Sequence, residues 1–129
     1  MDLIIWVWIF LLMVFCHIID DFHIQGFLAQ AKQRTWWINQ PEYTGRYKHD
    51  YITALAFHGF EWAIIVHIPI FFYIGISDYI IFSVILSAMI HAIIDDLKCN
   101  QRKINLCQDQ ILHILQLLFI IITVAILYT

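Results

Sequence analysis

Three times in this chain a histidine and an aspartate stand one helical turn apart, each time at the edge of a long apolar run. The stretches are HIIDD (residues 17–21), HAIIDD (91–96) and DQILH (109–113). On a helix, positions i and i+4 share a face, so each pair aims its imidazole and carboxylate in one direction. Neutral imidazole with carboxylate is a donor set for Zn, Mn, Fe or Ni, without singling out one of them. A lone histidine, His58, lies in a further apolar run. The expected metal ligands are therefore His17, Asp21, His58, His91, Asp95, Asp109 and His113. That is more than one tetrahedral ion takes, so one or two divalent ions per chain are expected, or one ion and its outer hydrogen-bonding partners.

Other polar groups lie close enough in sequence to serve chemistry at such a site. Gln25 is one turn beyond Asp21, and Gln110 adjoins Asp109; either can hydrogen-bond a ligand or substrate. Glu61, one turn inside His58, is a candidate ligand or general base. Lys32 and Lys98 are expected just outside the histidine and aspartate layers, where they would neutralise an anion such as phosphate. Asp20 and Asp96 are read as offset from the shared face, as polar residues of solvated helix ends.

The elements that must position these residues follow from composition. The chain is 62% hydrophobic and only 13% charged, about half the charge of an ordinary soluble domain. A soluble core of this size cannot hide so much apolar surface, which makes lipid the expected solvent. Four apolar segments, about 3–24, 52–76, 79–97 and 107–128, each approach the roughly 20 residues that cross a bilayer as a helix. The fold class expected is all-α: one polytopic domain of four transmembrane helices, with a short interfacial helix near FLAQAKQR and Trp36 and Trp37 as interface anchors. The first run has no basic stretch before it and no small-residue cleavage site after it, so it is expected to be retained as a span. Gly26 is the expected stop of the first helix, and Pro69 the expected kink of the second.

Every lysine and arginine lies between the first and second runs (Lys32, Arg34, Arg46, Lys48) or at the junction of the third and fourth (Lys98, Arg102, Lys103). The positive-inside rule puts these loops in the cytoplasm and both termini outside. This topology explains the order of the motifs. Inward-running helices read His-x-x-x-Asp and the outward-running one reads Asp-x-x-x-His. In all three the histidine is then deeper by roughly 6 Å of helix rise. A layer of histidines and a layer of aspartates meet at one membrane level, as in metal-holding helical bundles.

Plainer readings compete. A polar network without metal can lock a bundle at under about 2 kcal/mol per hydrogen bond, although ionisable groups in a membrane are functional by default. Glu61 is as readily a packing contact as a chemical group. His67 is expected to satisfy the carbonyl that Pro69 frees, and His23 and His49 to be exposed loop residues. Cys16, Cys99 and Cys107 are too few for a disulfide framework and read as free thiols. The net charge of −3 gives no reason to expect nucleic acid as a partner.

The ordered set HIIDDFHIQ, Lys32, His58, HAIIDDLK and DQILH resembles a family of small multi-pass membrane proteins of bacteria and phages, catalogued as a domain of unknown function. The resemblance covers residues from about 13 to about 120 and implies a four-helix inner-membrane protein. It brings no established activity. A fainter likeness, by analogy of helix-end histidines and acids, is to membrane-bound metal-dependent hydrolases. Three functions follow from the residues. The first is metal-dependent hydrolysis of a lipid or amphiphilic phosphoester, with membrane lipid as partner, water as nucleophile and an aspartate or Glu61 as base. The second is transport or sensing of a divalent metal or protons, which needs a homo-oligomer because the outer half shows few polar residues. The third is a structural phage-type protein that docks a partner on residues 30–49.

Overall fold

The computed structural model describes residues 2–41 and 45–129, and all its regular structure is helical. Residues 42–44, inside the connection read above as a docking surface, lie outside the described residues. Four long helices dominate: α1 (Leu3–Ile19), α4 (Asp50–Ile74), α5 (Asp78–Cys99) and α6 (Leu106–Tyr128). Each is long and apolar enough to cross a membrane, α1 together with the turn that follows it. They pack as a ring in which α1 touches α4, α4 touches α5, α5 touches α6, and α6 closes on α1. The inner surface carries Ile9, Met13, Trp62, Val66, Ile80 and Leu117, all fully buried. The outer surface is equally apolar: Phe72, Phe82, Phe119 and Ile126 are among many large exposed side chains. A surface of that kind is compatible with an apolar solvent.

Local chemistry sets the ends of the helices. Asn105 opens α6 with a capping box, its side chain accepting from Gln108 N–H while the Gln108 side chain accepts from Asn105 N–H. Ser77 caps α5 by accepting from Ile80 N–H. At the other end of the chain α1 does not stop cleanly. It widens into a π turn over Asp20–Ile24 before Gly26, at φ +50°, ends the helical path.

Gly59 brings α4 and α5 into close contact. A Cβ placed there would lie 2.6 Å from the carbonyl oxygen of Ala88 and 3.3 Å from the Cβ of Ala92. Only glycine fits opposite these two alanines, and the neighbours of Gly59 and Ala92 are His58 and His91.

The connection between α1 and α4 departs from the single interfacial helix expected. It forms two helices of about one turn, α2 (Leu28–Ala31) and α3 (Arg34–Ile38), separated where Gln33 is extended. The break lets Lys32 turn its side chain into the bundle. Trp37 Nε1–H spans the break by donating to the carbonyl of Ala31 at 2.7 Å. Trp36 packs edge-on against both Phe27 and Trp37. Asn100, just past α5, holds this segment down: it accepts from Arg34 N–H at 2.7 Å and donates to the Lys32 carbonyl at 3.0 Å.

His67 also departs from expectation. Its Nδ1 bonds the carbonyl of Ala63 at 2.7 Å, and its Nε2 lies 3.0 Å from Ser83 Oγ. Pro69 would free the carbonyl of Ile65, four residues back. The imidazole therefore crosslinks α4 to α5 and does not satisfy the carbonyl at the kink.

Candidate metal centre

The π turn, the start of α4, the end of α5 and the start of α6 meet at one end of the bundle. His58, His91 and His113 are fully buried, with Asp21, Asp95 and Asp109 beside them. Two triplets can each hold an ion: Asp21, His58 and His91, and His91, Asp95 and His113.

Four atoms define the first position. His58 Nε2 lies 3.2 Å from His91 Nε2, and 3.4 Å from both Asp21 Oδ1 and Asp95 Oδ2. His91 Nε2 lies 3.7 Å from the same two oxygens. Ligands about 2.1 Å from a tetrahedral ion are separated by roughly 3.4 Å, and these five distances lie near that spacing; the shortest, between the two imidazole nitrogens, is also a hydrogen-bond distance. As hydrogen bonds the carboxylate contacts are poor, since a real one is nearer 2.9 Å.

A second group faces the other oxygen of Asp95. His113 Nε2 lies 3.4 Å from Asp95 Oδ1 and 3.4 Å from Asp109 Oδ1. Three of the atoms in these groups, Asp21 Oδ1, Asp109 Oδ1 and His113 Nε2, are buried with no hydrogen-bond partner. Buried polar atoms are nearly always paired, and a cation held here would satisfy these three, which have no partner among the described residues.

Rings hold the imidazoles in place. Trp62 stacks on His91 at 4.1 Å between centroids, and His91 stacks on His113 at 4.2 Å. Trp62 is four residues after His58 and shares its face; the one-turn rule applied to an aromatic residue would have found it.

His17 lies at the cluster, but both its ring nitrogens are engaged. Nδ1 accepts from Trp62 Nε1–H at 2.8 Å, so Nε2 carries the proton and donates to Gln110 Oε1 at 3.0 Å. Gln110 in turn donates to Asp109 Oδ2 at 3.0 Å and reaches Asp21 Oδ2 at 3.4 Å. Gln25 donates to the backbone carbonyl of Asp21 on its own turn. Glu61 is half-buried on α4, with Oε2 unpaired, and belongs to neither triplet.

The lysines do not stand outside the layers. Lys32 is buried and its Nζ donates to Asp95 Oδ2 at 2.6 Å; Lys98 Nζ donates to Asp109 Oδ2 at 2.7 Å. They neutralise Asp95 and Asp109, and not the external anion expected of them. Asp20 differs as well. It is not a solvated helix end but fully buried, its carboxylate 3.9 Å from His58 Nδ1 and both its oxygens unpaired. Three residues beyond His17, it flanks the same helix stripe as Asp21. Asp96 stays at the rim and accepts from Asn100 and Gln101, each at 2.8 Å.

Comparison of the chain with protein-family models, with curated proteins and with solved structures finds no match in any of the three.

Proposed function

We propose that this protein is a multi-pass membrane protein with a divalent-metal centre at the basic end of its bundle, and that the centre hydrolyses an amphiphilic phosphoester. The observation that carries the metal is the close approach of His58 Nε2, His91 Nε2 and Asp21 Oδ1, with Asp95 Oδ2 within 3.7 Å of both imidazole nitrogens. A bound divalent ion supplies Lewis acidity and an acidified water. The chain's own residues do the rest. Trp62 and His17 fix the ring planes, Gln110 ties Asp21 to Asp109, and Lys32 holds Asp95.

Lys32, at the break between α2 and α3, is buried against Asp95, and its backbone is held by Asn100. Substrate enters when the α2–α3 segment moves aside, which also releases a lysine to hold phosphate. The cluster lies at the same end as all seven lysines and arginines, which supports a cytoplasmic placement in a bacterial inner membrane with both termini outside. The order of the motifs supports grouping the chain with the small membrane proteins it resembles.

One observation favours transport as a second reading. Polar groups continue above the cluster on the inner face: Gln116, one turn beyond His113, donates to the carbonyl of Ser87 at 2.8 Å, and Ser83 meets His67. Ser83 is two turns from His91, about 12 Å deeper along α5.

The test is metal content by mass spectrometry on protein purified in mild detergent without a histidine tag, then phosphate release from a phosphoester in mixed micelles. Bound metal with turnover that Asp95→Asn abolishes supports the hydrolase. Bound metal without turnover, but with metal flux into liposomes, moves the function to transport. No metal after reconstitution with Zn, Mn, Fe and Ni overturns both.

A further inference from the structure

We infer that the centre holds two divalent ions bridged by Asp95, an arrangement that rests on the metal reading above. Asp95 is one residue with two separate sets of neighbours. Its Oδ2 lies 3.4 Å from His58 Nε2 and 3.7 Å from His91 Nε2, in the group that includes Asp21. Its Oδ1 lies 3.4 Å from His113 Nε2, in the group that includes Asp109. A carboxylate that presents one oxygen to each of two donor sets is a bridging ligand, and paired ions a few ångströms apart clamp phosphoryl oxygens from both sides.

The orphaned atoms divide the same way. Asp21 Oδ1 is unpaired on the first side; Asp109 Oδ1 and His113 Nε2 are unpaired on the second. A single ion at the first position leaves the second pair orphaned. The lysines leave room for both ions. Lys98 donates to Asp109 Oδ2 and leaves Oδ1 free. Lys32 donates to Asp95 Oδ2, whose second lone pair remains available.

The two positions are unequal. The first has four protein donors and is closed. The second has His113 Nε2 and Asp95 Oδ1, with Asp109 Oδ1 3.4 Å from the same imidazole nitrogen, a smaller donor set of the kind that leaves a position for water or substrate. The second ion is therefore the weaker and the one that meets substrate, and Asp109 is the residue that selects for it.

Two measurements on the unaltered protein test this: ions bound per chain after titration with Mn, and electron paramagnetic resonance of the loaded sample. Two ions per chain with a spin-coupled spectrum are expected. Asp109→Asn should then retain one ion, with an uncoupled spectrum and at least a tenfold weaker second binding step. One ion per chain, with an uncoupled spectrum in the unaltered protein, overturns the bridge while leaving a single metal centre. No ion in any preparation overturns the metal reading itself. Two ions retained with full coupling in Asp109→Asn overturns the assignment of the second position.

Discussion

Substituting Gly59 should open the proposed metal centre without touching a proposed ligand. A Cβ at this position meets the Ala88 carbonyl at 2.6 Å, where ordinary contact begins at 3.4 Å. The obstacle is backbone, so α4 and α5 must separate by roughly 0.8 Å at the contact. His58 is the residue before Gly59, and its Nε2 lies 3.2 Å from His91 Nε2. A displacement of that size carries the pair to about 4 Å, whereas metal sites hold their distances within roughly 0.2 Å. In Gly59→Ala we expect metal affinity to fall at least tenfold, together with an overpacking cost of about 1–3 kcal/mol.

Chelator competition measures the first quantity and thermal unfolding in detergent the second. Two other glycines separate them. Gly75→Ala forces a side chain onto φ +87° at the far end of α4, with nothing within 4 Å, so it should lower stability and leave metal binding intact. Gly45→Ala meets nothing within 4 Å among the described residues and should change neither. Unchanged chelator competition in folded Gly59→Ala would refute the reasoning. So would a Gly75→Ala variant that loses metal in proportion to its stability, because binding would then report only the amount of folded bundle.

Two further outcomes follow from the same contacts. Asp20→Asn should weaken metal binding about 10- to 100-fold, as loss of an outer partner of a metal-bound histidine does, because Asp20 is the carboxylate nearest His58 Nδ1; an unchanged dissociation constant for zinc would remove Asp20 from the site. Lys32→Met should destabilise the metal-free protein by about 3–5 kcal/mol, since it strands a buried carboxylate. Added metal should restore more of its melting temperature than it adds to the unaltered protein, and an equal metal-induced shift in both would show that Lys32 does not substitute for an ion.

The parts of the site legible in the sequence were those set by helical period and charge placement. The i,i+4 spacing of His91 with Asp95, and its reversal in Asp109 and His113, require only a helix and a direction. The positions of every lysine and arginine supplied the direction. What escaped depended on how helices rotate and how closely they approach. Asp20 sits three residues from His17 and so flanks the same stripe, but which flank faces α4 is decided by packing. Lys32 reaches Asp95 only because the connection breaks at Gln33, and no local pattern marks that break. His17 carries the motif as fully as His91 does. It differs because Trp62 and Gln110, from two other helices, occupy its nitrogens.

The π turn at Asp20–Ile24 makes chain length a functional variable independent of residue identity. A π turn carries about one residue more per hydrogen-bonded ring than an α turn. Phe22, His23 and Ile24 are exposed and tolerant of exchange by their surroundings. Excising any one of them is another matter. The span would remain long enough, yet the wide turn would close to an α turn, and Asp20 and Asp21, which it carries, would be re-aimed. Among natural variants of such a chain, a gap in these five columns should be rarer than any substitution there.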